Sequence, residues 1–169
     1  ARRETCEHFV RYALEVARRF GDRTSSLCTH NEPWVIAILG HELGVFAPGL
    51  KSRKLAMQVA HHLLLSHGMA VRALRDAGIR TELGIVLNLS PIYPASDSPA
   101  DMQKAILDDG LNARWYLDAL FKGCYPEDVL AHLGADTPII EAGDMTTIAQ
   151  PLDFLGVNYY TRNFSSTGN

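Results

Sequence analysis

The sequence predicts an α/β fold built on parallel strands, and three observations carry that reading. Three short strand-like runs are spaced widely along the chain: β-compatible TSSLCTHN, apolar TELGIVLNLS, and DFLGVNYYT, rich in aromatic and branched residues. The segments between them repeat apolar residues at helical spacing. The middle run holds Leu83, Ile85, Val86, Leu87 and Leu89 with few polar positions, as strands do when both faces of their sheet are covered. Strands alternating with helices leave two architectures open, a doubly wound sheet and a (β/α)8 barrel. No GxGxxG or GxxxxGK[ST] follows any strand, so the nucleotide-binding form of the first loses support and no cofactor is implied.

In chain order, Phe9, Tyr12, Ala13, Val16, Ala17 and Phe20 place a helix from about residue 5 to Phe20, with Gly21 as its stop. The strand TSSLCTHN follows and ends at Asn31, and a short apolar helix begins beyond Pro33. After the loop GVFAPG, Ser52 caps a long helix to about Asp76, closed by Gly78. The strand TELGIVLNLS leads through the Pro-rich loop SPIYPASDSP to a helix with a well-marked start. Ser98 is at its cap, Pro99 in its first turn and Asp101 three residues after the serine. That helix runs to about Phe121. Shorter helices start at Pro126 and Asp144, and DFLGVNYYT is the last strand.

The bulk properties exclude several classes. At 47% hydrophobic and 21% charged residues, the composition is that of an ordinary globular protein. A formal charge of −3 gives no reason to expect nucleic acid or an anionic membrane as partner. No apolar run approaches the ~20 residues of a membrane helix. Cys6, Cys28 and Cys124 are far apart with no CxxC pair, which suits reduced thiols in the cytoplasm. The chain lacks an initiator methionine and is already helical by residue 5, so it reads as cut from something longer.

Working residues of a barrel sit where its strands end. Three polar stretches qualify: Asn31-Glu32, Asn88 to Ser90, and Asn158 to Tyr160. Glu32 is the group capable of proton transfer, a carboxyl at a strand end backed by apolar neighbours and able to act as a general acid. Asn31 beside it offers a donor and an acceptor, suited to a sugar hydroxyl. On the residues alone a second reading stands: an acid before a proline also suits a helix start, and Asn158 and Tyr160 also suit a plain strand terminus. Trp34 and Trp115 read as packing residues. His61, His62 and His67 share a helix but form no i, i+4 pair, so no metal site is expected. Cys28, inside the first strand, reads as a buried structural thiol rather than a nucleophile.

The motifs go further than the spacing. THNEPW followed by LGHELGVFAPG resembles the acid/base segment of glycoside hydrolase family 1, the β-glucosidase and β-galactosidase family. QVAHHLLLSHGMAV, LGIVLNLSPIYPASDSPAD, WYLDALFKGCYP and QPLDFLGVNYY resemble the same family in the same order, over essentially the whole chain. The resemblance implies a (β/α)8 (TIM) barrel that hydrolyses β-glycosidic bonds with retention, and residues 1–169 as its central portion, roughly strands four to six with their helices. It implies that Glu32 is the general acid/base and that Asn31 holds the glycone 2-hydroxyl. It matches Tyr160 to a tyrosine that hydrogen-bonds the nucleophile carboxylate, and Asn158 to an asparagine of the same pocket. It places Val35, Leu39 and Asn88 along the aglycone side. The implied partners are a β-linked glucoside or short oligosaccharide and the remaining barrel polypeptide.

Two positions depart from the family pattern. Leu27 stands where a tryptophan is usual, which bears on packing under Glu32. Phe46 replaces the histidine of G-x-H-A-P-G, which implies a more apolar aglycone entrance, suited to aryl or alkyl leaving groups. The family's nucleophile lies in an I/V-T-E-N-G motif, and the 169 residues contain none. Glu82 and Asp153 precede their strands, while Asp97, Asp101, Asp108 and Asp109 read as solvated surface, so none substitutes. The expectation is a chain carrying the acid/base half of a site and inactive alone. A non-catalytic sugar-binding or assembly module and a 6-phospho-β-glycosidase are the alternatives.

Overall fold

All three predicted strands are present and parallel in the computed structural model, which describes residues 2–168. Among the described residues five strands form, β1 (Ser26–Asn31), β2 (Glu82–Asn88), β3 (Ile92–Pro94), β4 (Phe154–Asn158) and β5 (Asn163–Ser165). The principal sheet has the order β1-β2-β4, with both pairs parallel. The α-helices are α1 (Glu4–Phe20), α2 (Arg53–Asp76), α3 (Pro99–Asp109), α4 (Trp115–Phe121), α5 (Glu127–Leu133) and α6 (Asp144–Ile148).

Local chemistry sets the helix starts. Ser52 Oγ accepts from the Leu55 amide at 3.3 Å, and Ser98 Oγ from the Asp101 amide at 3.1 Å, each satisfying a donor that has no partner within the helix. The helix expected from Ser98 to Phe121 is divided. Gly110–Arg114 winds as a π-helix between α3 and α4, and Val35–Glu42 after the Glu32 motif is π-helical too. Leu43 N–H bonds Ile38 O at 2.9 Å, five residues back.

Alternation along β2 divides the sheet's two faces. Leu83, Ile85 and Leu87 are buried beneath the helices. Gly84, Val86 and Asn88 point the other way, where large and small residues fit across the strand pair. A side chain at Gly84 would meet the Phe154 ring at 2.7 Å, and one at Gly156 would meet Val86 at 2.8 Å. Two apolar clusters form the core. In the larger one Trp115 stacks on Tyr125, with ring centroids 3.7 Å apart. The smaller joins Ala17 of α1, Val71 and Leu74 of α2 and Leu83 of β2.

Three expectations need correction. Cys28 is exposed: it pairs with Gly84, so it stands on the sheet face opposite the helices. Leu27 packs into the smaller cluster, so the residue replacing tryptophan there supports the strand against α1 and α2 and not the packing beneath Glu32. Asp101 is buried rather than solvated, at 6% exposure. Its carboxylate accepts from Ser96 Oγ and from the amide and hydroxyl of Thr167. Those bonds, led by Ser96, hold it down to about 2. Thr167 lies just after β5, so Asp101 ties α3 to the small β3–β5 ribbon, an element the sequence reading did not contain.

Asp153 lies at the opposite end of the sheet from the Glu32 motif, as expected. It accepts from the Leu83 amide at 2.8 Å and from Arg75 at 3.1 Å. A second buried carboxylate organises the helices. Asp144, 2% exposed, receives both arms of the Arg3 guanidinium, the Glu141 amide at 2.8 Å and His61 Nε2 at 3.1 Å. Because His61 Nε2 must donate to a carboxylate, its Nδ1 accepts from Tyr125 OH, at 2.9 Å. Burial works against a charged Asp144, but Arg3, the Glu141 amide and His61 outweigh it and hold the carboxyl well below its ordinary value. Burial in turn pushes His61 down, keeping it neutral. No helix among the described residues is long and apolar enough to cross a membrane.

Candidate active site

The site begins with an irregularity in β1. Ser26, Leu27 and Cys28 pair in step with Glu82, Leu83 and Gly84, but Asn31 is opposite Val86. Three residues of β1 therefore span two of β2, a bulge that changes which side chains face the helices. Thr29 and His30 both turn toward α2, bonding His67 and Ser66. Asn31 emerges on the other face with Val86. Glu32 follows with its amide bonded to Val86 O at 2.9 Å and φ at +50°. Among the described residues it is the one non-glycine with positive φ, a conformation costing on the order of 1–3 kcal/mol. Its carbonyl then accepts from the Val35 amide at 2.9 Å and starts the helical turn.

Two partners arrive from the end of β4. Asn158 Nδ2 donates to Glu32 Oε1 at 2.7 Å and to Asn31 Oδ1 at 3.1 Å, and Tyr160 OH donates to Glu32 Oε1 at 2.5 Å. The structure thus brings together Asn31, Glu32, Asn158 and Tyr160, more than 120 residues apart in sequence, at the C-terminal end of the sheet. Its hydrogen bond to the Glu32 carboxylate holds the Tyr160 phenol above its ordinary value, so it remains a donor. Asn88 is level with Asn158 in the next strand.

Glu32 half-projects into a cleft of about 400 Å3, whose other walls include Val35, Leu39, Phe46, Asn88 and Tyr160. All the residues expected on the leaving-group side are there. Phe46 stands on the rim, and Trp34, half-buried on the core, also borders the space. The sequence reading missed Asn112, which reaches the cleft from the π turn between α3 and α4. Its Nδ2 donates to Asp108 O at 2.7 Å. Nothing in the periodicity of that segment marked it. The histidines of α2 are engaged within the protein: His61 in the Asp144 network, His62 with Gln58 and His67 with Thr29.

A carboxylate at a strand end, met by an amide and a phenol from a parallel strand and opening into an apolar-walled cleft, can give a proton to a leaving oxygen and take one from water. Known proteins resemble the chain over nearly its whole length. The chain is 42% identical over 165 residues to beta-glucosidase A of Acetivibrio thermocellus, covering 96% of this chain and 37% of that protein. The solved GH1 beta-glucosidase of Exiguobacterium antarcticum B7 superposes with a TM-score of 0.94 at 37% identity, over 99% of this chain and 39% of that one. SghA, a virulence factor of Agrobacterium tumefaciens solved with its substrate analog salicin, gives 0.94 at 38% identity, over 99% of this chain and 37% of that one. The chain therefore spans little more than a third of the length of these relatives, and its three-stranded sheet and helices are part of a (β/α)8 barrel. The model of glycosyl hydrolase family 1 matches residues 1–169, and the chain belongs to that family.

Proposed function

We propose that this chain is the central portion of a retaining β-glucosidase barrel, strands four to six, and that it supplies the acid/base half of the site. The observation that carries the reading is the convergence of Asn158 and Tyr160 on one oxygen of Glu32. Both bonds fall on Oε1, which leaves Oε2 of this cleft-lining residue to protonate the glycosidic oxygen of a β-linked glucoside. Asn31, fixed by Asn158, presents its remaining hydrogen-bonding capacity to the glycone 2-hydroxyl. Phe46, Val35 and Leu39 make the leaving-group side apolar, suited to aryl or alkyl aglycones. The remaining barrel polypeptide is the other partner. Val157 supports this: it is level with buried Leu87, on the helix-covered face, yet is 53% exposed.

A retaining mechanism sets its two carboxyl groups about 5–5.5 Å apart. A phenol 2.5 Å from Glu32 and at ordinary hydrogen-bond distance from a second carboxylate spans about that separation. Tyr160 has one hydrogen to give. It goes to Glu32 while that group is ionised and passes to the nucleophile when Glu32 holds the proton.

Azide tests the assignment. In the complete polypeptide, Glu32→Ala acting on an activated aryl β-glucoside should be accelerated about tenfold or more by azide, since the anion needs no general base. The product should be the β-glucosyl azide, formed by attack on the covalent intermediate. An α-configured azide would make Glu32 the nucleophile, and a rate indifferent to azide would place it outside the chemistry.

Phe46 gives a second check. Phe46→His should raise KM for aryl β-glucosides about threefold while leaving methyl β-glucoside unchanged, as expected when one partly exposed apolar contact is lost. Equal changes for both would remove Phe46 from the leaving-group wall.

A further inference from the structure

Glu32 and Asn31 point where they do because of the bulge in β1, and the bulge is held from behind. Without it, His30 and not Asn31 would stand opposite Val86 and face the barrel interior. Two consecutive residues, Thr29 and His30, are instead both directed into α2, which an unbroken strand does not allow.

Each is fastened by a defined hydrogen bond. Thr29 Oγ1 lies 2.6 Å from His67 Nδ1 and 3.4 Å from Gly84 O. The hydroxyl hydrogen goes to the Gly84 carbonyl, so His67 Nδ1–H donates to Thr29. The buried Nε2, which has no partner, is then a lone pair and not a stranded N–H donor. Ser66 Oγ donates to Leu63 O at 2.8 Å, so it accepts from His30 Nε2–H at 2.9 Å. The His30 ring also stacks on Phe9 of α1, with centroids 4.3 Å apart. His67 and Ser66 are buried in the middle of α2. Burial pushes His67 down to about 3 and His30 to about 4, so both rings stay neutral and the bonds do not change through the working range.

We propose that Thr29 and His30, clamped to His67 and Ser66, are positioning residues that hold the β1 bulge and thereby aim Glu32 at the leaving-group oxygen. The inference rests on Glu32 being the acid. A carboxyl displaced by even ~1 Å loses much of its proton-transfer efficiency. Binding of the sugar, which many groups share, changes little. A loosened clamp therefore injures those substrates whose leaving group must be protonated and spares those whose leaving group departs as a stable anion.

The experiment uses the complete enzyme with Thr29→Val, which keeps the shape and removes the hydroxyl, and Ser66→Ala, which removes His30's acceptor. For each, kcat/KM is measured on an alkyl β-glucoside and on 2,4-dinitrophenyl β-glucoside, because this ratio reports the first chemical step. The alkyl substrate should lose about tenfold and the dinitrophenyl substrate less than about twofold, with Thr29→Ser restoring the alkyl rate. Equal losses on the two substrates, or none, would overturn the proposal by reducing the clamp to general stability. Should Thr29→Val fail to fold, Ser66→Ala decides by the same comparison. Glu32→Gln is the reference. If it shows no leaving-group dependence, the acid assignment itself fails; if it does and the clamp variants do not, only the positioning role falls.

Discussion

Glu32→Gln in the complete polypeptide is expected to lower kcat/KM for an alkyl β-glucoside by about 10^2- to 10^4-fold, the range of a positioned general acid. The same variant should lose little on a dinitrophenyl β-glucoside in that first step. The comparison is clean because the substitution changes so little else. Glutamine has the size of glutamate, meets the same difficulty at φ +50°, and its amide oxygen can still accept from Asn158 and Tyr160. What disappears is the transferable proton. Rates measured across a series of leaving groups should therefore fall more steeply, the poorer the leaving group. A uniform loss across the series would mean that Glu32 holds substrate and does not protonate it.

The second large effect lies away from the cleft. Asp144→Ala should destabilise the chain by about 3 kcal/mol, the lower part of the range for breaking a buried ion pair. It belongs at the lower end because Arg3 is 40% exposed and can turn to water, whereas His61 is fully buried and loses the acceptor of its Nε2–H. The Glu141 amide loses its acceptor too. Denaturant unfolding at neutral pH measures this, and a difference under about 0.5 kcal/mol would show the network to be idle. The pH dependence has a fixed sign. A carboxyl held below its ordinary value contributes fully above the unfolded-state value near 3.9 and loses that contribution as acid titrates the folded form. The gap between wild type and variant should therefore narrow below about pH 4.

The features that sequence reading placed well are those whose cause is local. Ser52 and Ser98 cap because a serine hydroxyl reaches an amide three residues on, and both do. The covered faces of β2 follow from its run of apolar residues. The errors share one origin, contacts across the fold. Asp101 is polar on an amphipathic helix and reads as solvated, but Thr167, 66 residues later, covers it. Cys28 reads as buried because it lies within a strand, and its face is decided by pairing with Gly84. For the site, spacing alone left Glu32 between an acid and a helix start. Its convergence with Asn158 and Tyr160 depends on a bulge, and a bulge leaves no mark in an alternation pattern only six residues long. The motif resemblance supplied what periodicity could not, and the comparisons confirm the family it named.

Both helical flanks of the cleft, Val35–Glu42 and Gly110–Arg114, carry the wide π turn. The first opens into the loop that carries Phe46, while the second passes directly into α4, so Trp115 at its start still seats on Tyr125. Each π segment presents side chains to the cleft, Val35 and Leu39 from the first and Asn112 from the second. The cleft walls are thus wound separately from the strands that deliver Glu32 and Asn158, whose parallel register is set within the sheet.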